Sequence, residues 1–239
     1  MKPASRLVLL LIALVLPDIA IAQDIGPLEQ AAGGLGQNAV LLALGLTALS
    51  LAPGIAIMVT CFPFIVTVLS ILRQAIGLQQ SPPNMLIVSL AMFLTWFIMD
   101  PVLREAWQVA GSPLQNGTIG ISDAFRLGIE PFAKFMQART NPDTLAGLAE
   151  LAPASSAPPD RLSVLVPAFM LSEIQRAFEI GFLIALPFLI IDLVVSAVLM
   201  SMGMMMVPPV VVSLPFKLAF FVVVDGWTMI AGALIRSYQ

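Results

Sequence analysis

The chain has no histidine and a single cysteine, Cys61, in 239 residues. One copy therefore cannot assemble a His/Cys metal site or close a disulfide within itself. Cys61 lies in an apolar run and reads as a small buried hydrophobe. Charge is scarce as well: only 10% of residues are charged, 11 basic against 14 acidic, for a net charge of −3. That balance offers nucleic acid no basic patch and no aromatic-basic interleaving. The carboxylates and arginines are not joined by a nucleophile or an oxyanion loop. Gly33-Gly34-Leu35-Gly36 lacks the Lys-Ser/Thr that a phosphate-binding loop requires. The sequence thus points to no enzyme and to no cofactor.

What the chain has in excess is oil. Hydrophobic residues make up 59% of it and the mean hydropathy is +0.99, which places it among multi-span membrane proteins. Residues 1–22 read as a cleaved signal peptide. Lys2 and Arg6 precede the apolar run Leu7 to Leu16, and Ala20-Ile21-Ala22 supplies the small-residue cleavage site. Residues 23–110 hold a polar, Gly-rich lead and then a first helical hairpin. Its first arm, 38–72, is broken by Pro53-Gly54 and Pro63; Pro82-Pro83 mark the turn, and the second arm runs from Asn84 to Met99. A mature amino terminus outside the cell would put the 73–83 turn in the cytoplasm and residues 100–179 outside. The turn near Met206 would then lie inside again.

Residues 111–160 are polar and Pro-rich, as a small helical extracytoplasmic insert would be. Ser122 is placed to cap a helix whose Phe125, Ile129, Phe132 and Met136 share one face, with Pro131 expected to kink or restart it. Asn141-Pro142-Asp143 reads as an N-cap, a first-turn proline and a first-turn acid. After a linker at 153–159, Asp160 is placed to cap a helix carrying Glu173, Arg176 and Glu179 at steps of three. Such spacing puts them on neighbouring positions of one face. The row is either a solvated ladder or a contact to a neighbouring subunit.

Residues 161–239 hold the second hairpin. Gly181 to Gly203 and Val210 to Ala233 are each long enough to cross a hydrocarbon core of about 30 Å. Asp192 falls in the first run, Lys217 and Asp225 in the second. A charge facing lipid is costly, so these ions should face protein or water. With the chain reversing near Met206, Asp192 falls about 5 Å along the axis from Lys217, and a buried pair is expected. Gly203-Met204-Met205-Met206-Val207-Pro208-Pro209 makes a bend of unbranched thioethers, with the two prolines expected to stop the helix.

This last stretch resembles the FliP family of flagellar biosynthesis proteins, whose virulence-type relatives belong to type III secretion. Pro167-Ala168-Phe169-Met170-Leu171-Ser172-Glu173-Ile174, Pro187 to Asp192, Leu214-Pro215-Phe216-Lys217 and Asp225-Gly226-Trp227 carry the same likeness. The resemblance implies an all-α, integral membrane-type protein of two helical hairpins with a small insert, several copies of which form an export-gate cone. FliQ-like and FliR-like subunits and the rest of the flagellar export apparatus would be its partners, and unfolded polypeptides its cargo. Its place would be the inner membrane, in the flagellar basal body and partly on the periplasmic side. Met204, Met205 and Met206 would be the pore gasket, Asp192, Lys217 and Asp225 a buried ionic or assembly group, and Glu173, Arg176 and Glu179 a subunit contact. Two other readings stand beside it: a virulence-type export-gate subunit, which the signal peptide disfavours, and a proton-coupled transporter using the three intramembrane ions, which the missing inverted repeat disfavours.

Overall fold

The computed structural model describes residues 39, 42–47, 50–78, 81–152, 161–204 and 206–238. The expected signal peptide, the Gly33–Gly36 stretch, the 153–159 linker, Asp160 and Met205 lie outside them. Every regular element among the described residues is helical, so the chain is all-α. It divides into two compact units at Pro53/Gly54. In the first, the described residues 39, 42–47 and 50–53 are helical.

The second unit is organised around helix α1, Phe62–Ile76. Phe64, Ile65, Val68, Leu69, Leu72 and Ile76 are all buried, and their three- and four-residue steps form the stripe that a helix buries. α1 ends at Gly77, and a connection containing Pro82-Pro83 leads to α2, Asn84–Ala106. The start at Asn84 is where the sequence places it, but the end is not. The helix runs through Met99 and Pro101, through a π turn at Trp107–Gly111 and on to Gln115. An i,i+4 bridge between Asp100 and Arg104 at 2.8 Å supports the helix where the apolar pattern stops.

Helix α3 spans Ile121–Arg139 and α4 spans Pro142–Leu151. Gly120, not Ser122, is the N-cap of α3, and Pro131 is buried inside the helix without breaking it. Asn141 caps α4 as its sequence predicts, accepting from the Asp143 N–H at 2.8 Å, with Pro142 in the first turn. Lys134 on α3 bridges Glu130 at 3.3 Å and Glu105 of α2 at 3.6 Å. Its hydrogen bond to Glu130, more than any other influence, holds the ammonium above its ordinary pKa.

Helix α5 is a single element of 40 residues, Leu162–Ser201. The sequence suggested a charged helix and a separate apolar one; the structure joins them, with Pro167 and Pro187 inside. α5 is the main neighbour of α1, which lies along it closely enough that a Cβ on Gly181 would come within 2.4 Å of Ile71. The prolines expected to stop α5 do not do so. It ends before Gly203, whose φ of +74 suits glycine, and the Gly203 and Met204 N–H groups donate to the Met200 and Leu199 carbonyls, each at 3.0 Å. That pair of bonds is a Schellman stop.

Pro208 and Pro209 open the next helix, α6, Pro209–Val223, Pro209 standing where a missing N–H costs nothing. The run expected to continue to Ala233 breaks at Val224-Asp225. Helix α7, Gly226–Arg236, follows with a bend of 61°. Among the described residues two helices, Asn84–Gln115 and Leu162–Ser201, are long and apolar enough to cross a membrane, and up to four spans result if each broken pair counts as one. Phe93, Trp96, Leu193 and Val223 stand among many large apolar side chains left exposed. Surfaces of that extent are covered by lipid or by protein.

Candidate functional site

Three features stand out in the second unit, two polar and one apolar. The first joins α5, α6 and the end of α1. The Lys217 Nζ donates to Asp192 Oδ2 at 2.6 Å and to the Ala75 carbonyl at 3.1 Å. Asp192 Oδ1 accepts from the Ser213 hydroxyl at 2.5 Å. The Lys217 side chain is 4% exposed and that of Asp192 31%. Ala75 lies in the last turn of α1, whose final carbonyls have no partner within the helix, so the ammonium also caps α1 at the negative end of its dipole. The structure thus brings Asp192 and Lys217 together but leaves Asp225 apart. Asp225 is exposed, at the α6/α7 break, and its carboxylate accepts only from the Thr228 hydroxyl among the described residues.

The second is centred on Glu173, which is fully buried. Its Oε1 lies 3.3 Å from Arg139 Nε and 3.5 Å from Arg176 Nη1, and its Oε2 accepts from the Tyr238 hydroxyl. The Arg139 guanidinium stacks 3.9 Å over the Tyr238 ring and donates to the Ser237 carbonyl at 2.6 Å. Next to it, the Asn141 N–H donates to Ser172 Oγ at 2.9 Å. The node pins the carboxyl-terminal residues to the α3/α4 corner and to the first half of α5. It also corrects the reading of the charged row. Glu173 points into its own chain, where two arginines balance its charge and a tyrosine hydroxyl donates to it, and is buried away from a neighbour. Arg176 is partly exposed, and Glu179 is exposed and bonded to Gln175 at 3.1 Å.

The third is the elbow between α5 and α6. Met206 is 97% exposed and Met204 38%. Beside it, Val194, Val198, Met202, Met204, Val212 and Phe216 help line an apolar groove of about 580 Å³. No group of three or more His, Cys, Asp or Glu side chains placed to hold a metal occurs among the described residues.

Sequence reasoning missed Arg139, Ser213, Tyr238 and the Ala75 carbonyl. Ser213 stands one helical turn before Lys217 and could have been found by that spacing. Tyr238 is the chain's one tyrosine, which is a weaker clue. Nothing local connects Arg139 to Glu173.

Apolar helices of spanning length, ions neutralised in pairs inside the protein and an exposed sulfur-rich turn define a membrane-type helical protein whose polar groups hold helices together. The FliP family profile matches residues 45–234. The chain is 47% identical to the flagellar biosynthetic protein FliP of Caulobacter vibrioides, over 94% of this chain and 86% of that one. It is 47% identical to that of Bacillus subtilis, over 84% and 92% respectively, and 43% identical to that of Aquifex aeolicus, over 95% and 97%. The chain belongs to the FliP family.

Proposed function

We propose that this chain is a structural pore subunit of the flagellar type III protein export gate, conducts unfolded flagellar proteins across the inner membrane and is not an enzyme. The observation that carries the reading is the family match across residues 45–234, which contains both arms of the elbow. Copies of the chain surround a conduit with FliQ-like and FliR-like subunits in the flagellar basal body, partly on the periplasmic side of the membrane. Arg176 and Glu179 are available to neighbouring copies. Met204, Met205 and Met206 from each copy close the conduit at rest. Flexible thioethers suit such a seal because they pack against one another and yield to chains of varied sequence without a fixed hydrogen-bond pattern. The exposure of Met206 supports this role.

The test replaces Met204, Met205 and Met206 together by Ala in cells otherwise lacking the chain. The complex should still assemble, and the membrane should become permeable to small solutes, read by dye entry or conductance. An assembled complex with a tight membrane would end the gasket reading.

A further inference from the structure

Asp225 belongs to none of the polar networks described above. It forms no ion pair among the described residues, and its carboxylate accepts only from Thr228 Oγ1 at 3.1 Å. It does not cap α7, since its side chain makes no bond to the helix N–H groups. Its backbone is left-handed at φ 48, and it is the only non-glycine residue with positive φ among the described residues. Glycine would take that conformation without strain, so the bend between α6 and α7 does not by itself call for a carboxyl group. Val222, Val223 and Met229, within four residues of it along the chain, are all exposed. A carboxylate on such a face is costly against lipid and calls for a cation.

We infer that Asp225 is a docking point for an apolar helix of a different membrane protein that brings one Lys or Arg to the α6/α7 break. Val222, Val223 and Met229 form the apolar collar that would exclude water from the pair. Charge complementarity favours a foreign chain over a second copy. Arg104, Lys134, Arg139 and Lys217 already face carboxylates of their own chain, Arg176 stands on α5 away from the break in sequence, on the face offered to neighbouring copies, and Arg73 is held by Asn84 and the Pro82 carbonyl. Arg126 and Arg161 belong to the polar middle and its border. Arg236 stands eleven residues beyond Asp225 on α7, about 16 Å along the axis. Among the described residues, the cations that α6 and α7 of an aligned copy offer nearest the break are the paired Lys217 and the distant Arg236.

The inference rests on the chain being an assembly subunit. The experiment purifies the tagged full-length chain with its partners from bacterial membranes and compares Asp225→Gly, Asp225→Asn and Asp225→Lys. The Gly and Asn variants keep the backbone conformation accessible; they should accumulate and melt like the native chain yet recover about tenfold less of the hetero-partner, as loss of a desolvated charge pair at an interface does. Asp225→Lys should recover none, and an acid substituted for the partner's basic residue should restore it. Native recovery with Gly and Asn, or tolerance of Lys, would show a solvent-facing acid and overturn the proposal. So would disulfide trapping of Asp225→Cys against a second copy of this chain. A native chain that purifies alone would instead overturn the assembly reading itself, and the docking point with it.

Discussion

Separating Asp192 from Lys217 tests how the second hairpin is held to α1. In Asp192→Leu the ammonium keeps one acceptor, the Ala75 carbonyl at 3.1 Å, while its side chain stays 4% exposed. Leaving a buried charge unmatched costs about 3–5 kcal/mol. Lys217→Met should cost less, about 1–3 kcal/mol, because Asp192 retains the Ser213 hydroxyl and partial access to solvent. The double variant removes both charges at once. Apolar replacement of a buried pair is often neutral, so its loss should be mainly that of the cap on α1, about 0.3–1 kcal/mol. The expected coupling between the two sites is therefore about 3 kcal/mol or more in favour of the double variant. A difference of that size changes the folded-to-unfolded ratio by more than about a hundredfold and is readable by denaturant titration in detergent micelles. If the double variant loses as much as the two single variants combined, the groups are independent and the pair is not the tie described. A proton relay, by contrast, predicts that Asp192→Asn assembles well and fails only in proton coupling.

Other substitutions probe the remaining joints. Gly203→Ala forces an L-residue to φ +74 and should lower stability by about 1–2 kcal/mol, with Gly203→Asn falling between, measured by thermal melting in detergent. Tyr238→Phe leaves Glu173 Oε2 without its donor and should cost about 1–3 kcal/mol; faster proteolytic trimming of the carboxyl terminus would report it. Gly181→Leu should cost about 1–3 kcal/mol by overpacking, since even a Cβ there meets Ile71 at 2.4 Å.

Features set by a few neighbouring residues were legible in the sequence. The Asn141 cap, the start of α2 at Asn84 and the Asp192 to Lys217 approach all follow from short-range spacing or from folding one hairpin at its turn. Element ends were read less well, because apolar pattern and backbone geometry part company there. α2 outlasts its apolar run through an ion pair, while the apolar run after Val210 breaks at a left-handed aspartate. The elbow was found at the right place for the wrong reason: the prolines begin α6, and Gly203 ends α5. The Glu173 node was out of reach because Arg139 and Tyr238 are 34 residues before it and 65 after it. Only packing α3, α5 and the carboxyl terminus together brings them within bonding distance.

The length of α5 constrains how the hairpins meet a bilayer. Forty helical residues rise about 60 Å, twice the thickness of a hydrocarbon core of about 30 Å. Fitting all of α5 inside would need a tilt of about 60°, beyond the 0–40° that spanning helices adopt. Part of it therefore lies outside, and the charges indicate which part. Glu173, Arg176 and Glu179 all fall in its first half, and residues 180–201, which span about 33 Å, carry only Asp192, already matched by Lys217. Yet Leu171 and Phe178 in the charged half are exposed, and water is a poor neighbour for both. A segment too charged for lipid and too oily for water is most stable against other protein, which is why Arg176 and Glu179 make a better place to look for a subunit seam than the apolar half. Cysteines at Leu171 and Phe178 that cross-link between copies while cysteines at Ile190 and Leu193 stay accessible to a lipid-soluble reagent would bear this out; the opposite pattern would refute it.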